Sequence, residues 1–229
     1  MEKPVVIFGT GDIGQLAHFY LTHDSPRRVV AFCADAAFIQ SSECLGLPLI
    51  PFEQVADSYP PDAFDMFVAL SYSKLNETRA AKYADAKAKG YALISYVSSR
   101  SVIWDGPAIG DNCLILENQT IQPFVTIGNN VTIWSGNHLG HHSTIGDHCF
   151  ITSHVVISGH VEVGPSCFLG VNATVRDGIR LAPRSVISAG ATIMKDTVEG
   201  GVYRGVVAGL RARDGAKLRY FAHTRYEDR

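Results

Sequence analysis

Six of the chain's nine histidines lie within 23 residues, from residue 138 to residue 160. They are His138, His141, His142, His148, His154 and His160. An imidazole can act as a general base near neutral pH, ligate a metal ion, or form hydrogen bonds at a surface. These three interpretations need different arrangements of the side chains, so the backbone that carries the histidines decides between them.

A second group of residues suited to chemistry lies near the N-terminus. Residues 9–14 read GTGDIG, which matches the spacing G-x-G-x-x-G, and Asp35 follows the next apolar run. Glycines in such a loop let the backbone approach a phosphate at the N-terminus of a helix. Three interpretations fit the loop: a site for a nucleotide-linked sugar, a site for NAD, or a tight turn with no ligand. Only one mononucleotide-binding half is present, which weakens the NAD interpretation.

The first 97 residues alternate between apolar runs and helical spacing. The runs PVVIFG, RRVVAFCAD, LPLI, AFDMFVAL and YALISYV predict strands, and the segments between them predict helices. Continuous apolar strands between helices are typical of a parallel sheet that is covered on both faces. We therefore expect a Rossmann-like, nucleotide-sugar-binding domain over residues 1–97.

From residue 98 to 198 the sequence follows a period of six. Every sixth position from 103 to 193 is Ile, Leu or Val, sixteen times in succession, and the residue four positions later is mostly small. This is the hexapeptide repeat, in which three hexapeptides (about 18 residues) form one triangular coil. Cys149 and Cys167 are then small fillers of the core. The repeat fails after 198, which leaves a Gly-rich segment and tail over 199–229.

The repeat places the histidines at the corners of the coils. His141 and His142 are the third and fourth residues of one hexapeptide, and His148, His154 and His160 are fourth residues of later ones. We expect the histidines to lie on different edges and not to converge within one subunit. For His138, His148 and His160, hydrogen bonding at a surface or interface is the expected role. The apolar residues Trp134, Phe150 and Phe168 near the edges predict a subunit interface.

Composition excludes several classes of function. The net charge is −2, which gives no basic footprint for nucleic acid or an anionic membrane. No apolar run is long enough to span a bilayer, and a strand follows the first residues so closely that we expect no signal peptide. Five cysteines without a CxxC motif favour reduced thiols in a cytoplasmic protein.

Together, several motifs resemble one family of enzymes. They are VVIFGTGDIGQ at 5–15, AD at 34–35, LGHHSTIGDHCFI at 139–151, VEVGPSCFLGVNATV at 161–175 and GVVAG at 205–209. Over residues 4 to about 210 the chain resembles the sialic-acid O-acetyltransferases and the bacterial nucleotide-amino-sugar N-acetyltransferases. The resemblance implies a Rossmann-like half-domain followed by a left-handed parallel β-helix. It also implies a homotrimer with active sites between subunits and a role in polysaccharide biosynthesis.

The resemblance further implies an N-acetyltransferase that moves the acetyl group of acetyl-CoA to a nucleotide-diphosphate amino sugar. His141 would be the general base, with His142 beside it, and the amine would attack the thioester directly. The nucleotide sugar would contact Gly9, Thr10, Gly11, Asp12, Ile13, Asp35, Ser71, Tyr72 and Ser73. Acetyl-CoA would contact His154, Gly159, Gly170, Asn172, Ala189, Gly190, Lys195 and Arg204, with Arg211 also near its phosphates.

This sequence departs from the family at two places. The family often has an acid directly after the base, whereas this chain has His142, so Asp147 and Glu117 are the candidates for an orienting carboxylate. Val207 replaces a proline of the usual GVPA segment. Sugar O-acetylation, a zinc-dependent carbonic anhydrase of the hexapeptide type and a non-catalytic scaffold remain alternatives. We expect no metal.

Overall fold

The computed structural model describes residues 2–104 and 106–206, so Val207, Arg211 and the rest of the tail lie outside the described residues. The N-terminal half contains five strands and three helices. They are β1 (Val5–Phe8), α1 (Asp12–His23), β2 (Val29–Ala34), β3 (Glu43–Cys44), β4 (Leu47–Pro51), α2 (Val55–Ser58), β5 (Asp65–Val68) and α3 (Glu77–Ala88). Short 3-10 helices cover Ala36–Phe38 and Phe52–Gln54.

The N-terminal sheet has the order β3-β4-β2-β1-β5, and all pairs except β3 with β4 are parallel. Strands β1 and β5 are buried along their full length, as expected for a sheet covered on both faces. Helix α1 packs Ala17 and Leu21 on one face, and Val55 and Ala86 from α2 and α3 cover the other. The predicted Rossmann-like half is therefore present.

The last predicted strand of this half, YALISYV, is different in the structure. Leu93 makes only an isolated bridge with Met66, and the chain then leaves the N-terminal sheet. Residues Tyr96–Val97 pair instead with Leu114–Ile115 of the β-helix. Apolar character identified a buried segment here, but it could not show which of the two sheets the segment joins.

The rest of the described chain is a left-handed parallel β-helix of two-residue strands on three faces. Face 1 holds Val102–Ile103, Thr120–Ile121, His138–Leu139, Val156–Ile157, Thr174–Val175 and Thr192–Ile193. Face 2 holds Ala108–Ile109, Thr126–Ile127, Thr144–Ile145, Glu162–Val163 and Arg180–Leu181. Face 3 holds Tyr96–Val97, Leu114–Ile115, Thr132–Ile133, Phe150–Ile151, Phe168–Leu169, Val186–Ile187 and Val202–Tyr203.

The repeat explains this architecture residue by residue. The second residue of each strand points inward, and it stacks on its equivalent 18 positions along, as Ile121 does on Leu139. Cys149 and Cys167 lie in the same core and are free thiols. The fourth position of many hexapeptides adopts positive φ, as at Asn130 (56°) and His142 (59°). Asn and His tolerate this conformation better than most side chains, which accounts for their frequency at the corners.

Face 3 is covered by the N-terminal half of the same chain. Tyr72 lies with its ring centroid 4.9 Å from that of Phe150 and 4.9 Å from that of Phe168. Trp134 packs against the cluster that contains Leu21 of α1. The prediction that these aromatic residues mark a subunit interface is therefore wrong, because they join the two halves of one chain.

A buried arginine fastens α3 to the edge between faces 2 and 3. Arg79 donates hydrogen bonds to the backbone oxygens of Asn130, His148 (3.0 Å) and Cys149 (3.2 Å), and to the side chain of Asn76 (3.0 Å). Burial lowers the pKa of Arg79 to about 10, still high enough for the side chain to remain charged at neutral pH. The N-terminal half is thus held in a fixed position on successive coils.

Among the helices of the described residues, none is long and apolar enough to cross a membrane.

Candidate functional site

The glycine loop borders a cleft between the N-terminal half and the β-helix. One part of the cleft, of about 440 Å³, is lined by Gly11, Asp12, Ile13, Ala69, Leu70, Ser71, Ser73, Thr78 and Trp134. The other part, of about 220 Å³, is lined by Phe8, Gly9, Thr10, Gly11, Ala34, Asp35, Phe38, Leu70, Thr78 and Lys82. The two parts share Gly11, Leu70 and Thr78, and together they are within the size range of small-molecule sites.

The loop has the backbone geometry that its glycine spacing predicts. Gly9 has φ of 112°, and a Cβ there would lie 2.5 Å from the backbone oxygen of Ala69. A Cβ on Gly14 would lie 2.1 Å from the backbone oxygen of Gly9, so only glycine allows α1 to approach the strand. No side chain caps the N-terminus of α1, which leaves its first amides available for an anion.

Asp35 lies at the end of β2 and is paired with a lysine that the sequence did not single out. The Nζ of Lys82 is 2.8 Å from Oδ1 of Asp35 and 3.3 Å from Oδ2 of Asp85. Burial lowers the pKa of Lys82, but its bonds to the two carboxylates outweigh this effect and raise the pKa overall. The cleft is therefore lined by both an acidic and a basic side chain. Lys82 had no recognisable signal, since it is one of several lysines on a polar helix.

The structure separates the three residues predicted after β5. Ser71 and Ser73 line the cleft, whereas Tyr72 packs on Phe150 and Phe168 of face 3. Trp134 also lines the cleft, and its indole Nε1 is buried without a hydrogen-bond partner in the structure.

His141 lies exposed at the edge between faces 1 and 2. Its backbone N–H donates to Oε1 of Gln122 (2.9 Å). The imidazole lies over Gly159 in the next coil, because a Cβ on Gly159 would lie 2.7 Å from Cε1 of the ring and 2.9 Å from Nε2. Its Nδ1 lies 3.1 Å from Nδ1 of His142, so one ring donates to the other. These contacts fix the orientation of the ring without burying it.

Three histidines converge at this edge within one subunit, so the expectation that they cannot converge is wrong. One ring nitrogen from each of His141, His142 and His160 lies within 4.8 Å of the others. The rings of His142 and His160 are stacked, with centroids 4.9 Å apart, and Phe124 continues the column on the other side of His142 (4.6 Å). The fixed spacing of the coils stacks equivalent corners, and His141 extends from the neighbouring position toward the column.

The two carboxylates considered for orienting His141 are engaged elsewhere. Asp147 accepts a hydrogen bond from the backbone of Asn129 at the edge between faces 2 and 3. Glu117 accepts from Tyr20 (2.9 Å) and Ser135 (3.0 Å) at the edge between faces 3 and 1. The hydrogen-bond partner of the His141 ring is His142.

The remaining corner histidines have other surroundings. His148 is half-buried against Tyr83 of α3, and its Nδ1 lies 2.9 Å from the amide of Asn130. Burial lowers the pKa of His148, and the nearby charge of Arg79 lowers it further. The predicted surface or subunit-interface role of His148 is thus replaced by a contact between the two halves. His154 is exposed, with its ring over Gly136, and His138 projects from face 1.

Most residues predicted to contact acetyl-CoA lie along the edge between faces 3 and 1. Asn172, Ala189 and Gly190 are exposed there, as is Arg204 further on. The exposed Lys195 instead follows Ile193 of face 1, so it lies at the edge between faces 1 and 2, on the side of His141. Gly170 is buried, and a Cβ there would lie 2.5 Å from the backbone nitrogen of Ala189. The stacking of coils thus already explains Gly170, while the open positions Ala189 and Gly190 leave room for a ligand.

The site is divided among different parts of the molecule. The glycine-loop cleft lies against face 3, the predicted cofactor residues lie mainly along the edge between faces 3 and 1, and His141 lies on the edge opposite face 3. A cavity of about 460 Å³ at the other end of α1, lined by Tyr20, Asp24 and Glu117 among others, lacks the glycine-loop amides. Face 1 lies between His141 and the edge that carries most of the residues predicted to contact acetyl-CoA.

Comparisons with known proteins agree with this architecture. A family model described as bacterial transferase hexapeptide (six repeats) matches residues 106–140 and 124–159, and one described as hexapeptide repeat of succinyl-transferase matches residues 160–195. No curated protein matches the chain at a significant level.

Three solved structures are similar over most of the chain. The acetyltransferase domain of PglB from Neisseria gonorrhoeae is 18% identical, with a TM-score of 0.78 over 90% of this chain and 100% of that one. PerB from Caulobacter crescentus, in complex with CoA and GDP-perosamine, is 22% identical, with a TM-score of 0.78 over 88% and 94%. WeeI from Acinetobacter baumannii is 16% identical, with a TM-score of 0.58 over 89% and 99%. Residues 106–195 thus carry hexapeptide repeats, of the bacterial transferase type over 106–159 and of the succinyl-transferase type over 160–195, and the predicted resemblance is confirmed at the level of repeat and fold.

Proposed function

We propose that the protein is an acetyl-CoA-dependent N-acetyltransferase that acts on a nucleotide-linked amino sugar. The observation that carries the proposal is the exposed His141 imidazole, held over Gly159 and hydrogen-bonded to His142. An exposed imidazole held in one orientation is suited to take a proton from an attacking amine. The similar structure of PerB binds CoA and GDP-perosamine, which supports the same two classes of ligand here.

The substrate's nucleotide would occupy the glycine-loop cleft. The uncapped N-terminus of α1 would face the phosphates, and the paired Asp35 and Lys82 would contact the ribose or base. A site of this kind would hold the nucleotide and position the sugar, while the proton transfer would be carried out by His141.

Acetyl transfer needs no covalent intermediate on the protein. The amine nitrogen attacks the thioester carbonyl of acetyl-CoA, the C–S bond breaks, and His141 takes the proton that the nitrogen loses. A backbone amide near Gly159 would stabilise the oxyanion in the transition state. His142 orients the base in place of the acid often found in the family. Burial raises the pKa of Cys149, so this thiol is unsuited to nucleophilic chemistry.

The division of the site favours an assembly with active sites between subunits, and the family resemblance implies that it contains three chains. His141 lies on the edge opposite its own N-terminal half, so a complete site needs a second β-helix beside it. Sedimentation at micromolar concentration should show a species of three chains. A species of 24.8 kDa alone would contradict the shared site.

The main test compares His141→Asn with His142→Asn. Release of CoA thiol is measured with acetyl-CoA and a panel of nucleotide-linked amino and hydroxy sugars. A positioned general base contributes about 100- to 10,000-fold, so His141→Asn should lower kcat by a factor in this range. His142→Asn should cost much less, because asparagine can still hydrogen-bond to His141. Both residues are exposed, so neither change should lower the melting temperature.

The outcomes separate this proposal from its rivals. If His141→Asn retains more than about a third of the turnover, the base lies elsewhere. Turnover with hydroxy sugars alone would identify a sugar O-acetyltransferase. Hydration of carbon dioxide would identify a zinc-dependent carbonic anhydrase. Binding of nucleotide sugars without release of CoA would indicate a non-catalytic scaffold that binds nucleotide sugars.

A further inference from the structure

Within residues 2–104 and 106–206, one group of three side chains could together ligate a metal ion, and it consists of His141, His142 and His160. We call this group the histidine corner. Each offers one ring nitrogen, and the three nitrogens lie within 4.8 Å of one another. All three side chains are exposed, so a solvated ion can reach them. We propose that the histidine corner binds one divalent transition-metal ion of the zinc class, and that the bound ion inhibits acetyl transfer.

The backbone holds the three ligands at a fixed spacing. The N–H of His160 donates to the backbone oxygen of His141 (2.9 Å), which ties the two coils together at this corner. The N–H of His142 donates to the backbone oxygen of Pro123 (3.3 Å) in the preceding coil. His142 and His160 both adopt the left-handed conformation, with φ of 59° and 56°. Side chains carried by stacked coils lose little freedom on binding an ion.

The distances are close to those of a tetrahedral site. With Zn–N bonds of about 2.0–2.1 Å, two ligand nitrogens lie about 3.3–3.4 Å apart. The Nδ1 atoms of His141 and His142 are already 3.1 Å apart. A nitrogen of His160 lies within 4.8 Å of the other two ligand nitrogens. Because the His160 ring is stacked on that of His142, this exposed ring must rotate to direct its lone pair at a shared ion. Three imidazoles with an open fourth position suit zinc, copper and nickel better than magnesium or calcium.

The inhibitory effect follows from the lone pairs of imidazole and rests on the proposed function. A neutral imidazole has one nitrogen that accepts and one that carries hydrogen. A metal ion on His141 occupies the accepting nitrogen, so the ring has no position left for the amine's proton. One chain supplies all three ligands of this site, so metal binding does not depend on the proposed assembly of subunits.

Metal binding is tested on full-length protein without a histidine tag, after removal of metal by chelation. Cobalt(II) is titrated by visible absorption, and zinc by calorimetry, for the wild type, His160→Ala and the control His138→Ala. His138 projects from face 1 and is not part of the histidine corner. We expect one ion per chain in the wild type and in the control. Loss of a direct ligand should weaken binding at least about 10-fold, since even outer partners of a metal site contribute that much.

The absence of binding, or equal affinity of the wild type and His160→Ala, would overturn the site. The second part of the proposal, inhibition by the bound ion, is tested by measuring the turnover of each protein with and without zinc. The wild type and His138→Ala should lose turnover as the ion saturates, and His160→Ala should need at least about 10-fold more zinc. Bound zinc with unchanged turnover would refute inhibition. If no sugar is acetylated in metal-free protein, the proposed function fails, but the titrations still decide whether the site exists.

Discussion

Changing Gly159 to Ala tests whether catalysis depends on the position of the His141 ring. The added Cβ would lie 2.7 Å from Cε1 and 2.9 Å from Nε2 of His141. Non-bonded carbon atoms normally lie about 3.5–4.0 Å apart, so the ring must move by about 1 Å. A displacement of this size can lower a rate by about 100-fold. We therefore expect kcat for acetyl transfer to fall by about 10- to 100-fold.

The stability of Gly159→Ala should stay the same or increase, although its activity falls. The φ angle of Gly159 is outside the left-handed region, so alanine fits the backbone there, and the ring that must move is exposed. Replacing glycine at such a position restricts the unfolded chain and stabilises a protein by about 0.4–1 kcal/mol. The melting temperature should stay the same or rise by a few degrees. Loss of activity would then not be attributable to unfolding.

A double-mutant cycle shows whether the effect passes through His141. The kcat of Gly159→Ala, His141→Asn and the double variant is measured by release of CoA thiol under saturating substrates. If the alanine acts by moving the base, it should add almost nothing once the base is removed. An equal loss in both backgrounds would refute the reasoning, as would a single variant that keeps more than about half of the turnover.

Other changes test the remaining parts of the molecule. Asp35→Ala should raise KM for the nucleotide sugar far more than KM for acetyl-CoA, because Asp35 lines only the glycine-loop cleft; equal effects would contradict this. Arg79→Met should lower the free energy of unfolding, measured in urea, by about 2–3 kcal/mol, since buried backbone oxygens lose their donor; an unchanged value would show that the arginine is dispensable. Hydrogen bonds, first from Ser99 and then from Tyr96, lower the pKa of Asp24 from 3.8 to about 2. The charged form therefore stabilises the fold above pH 3.8, and this contribution disappears as the pH falls through about 2. Asp24→Asn should lower the melting temperature at pH 7 and approach the wild-type value near pH 2, with exposed Asp62→Asn as a control that changes little at either pH.

The sequence predicted the elements whose residues carry a repeating or local rule. The period of six identified each inward position of the β-helix, because a coil of constant length must return the same residue type to the core. The glycine spacing predicted the turn before α1, where Gly9 and Gly14 allow close backbone approach. In both cases the cause of the structure lies within a few residues or one coil.

The sequence did not predict features that depend on the packing of one half against the other. Phe150 and Phe168 looked like a subunit interface, but Tyr72 covers them from the same chain. Lys82 reaches Asp35 across 47 positions, and neither residue indicates the other by its local sequence. The convergence of the histidine corner also depended on the direction of side chains, which position in the repeat alone does not give. The six-residue spacing placed His142 and His160 on the same edge, but it did not predict that the His141 ring lies close to theirs.

The covering of face 3 changes where the proposed assembly of subunits would form. Since the N-terminal half covers the aromatic part of face 3, a second β-helix in the proposed assembly would approach faces 1 and 2 and their edges. Exposed apolar residues there include Val102 and Val156 on face 1, Trp104 and Met194 just after face 1, and Phe124 in the histidine column. Burial of apolar surface favours association at those positions. Such an interface would bring His141 of one subunit beside a neighbour, which is the arrangement that a shared active site requires.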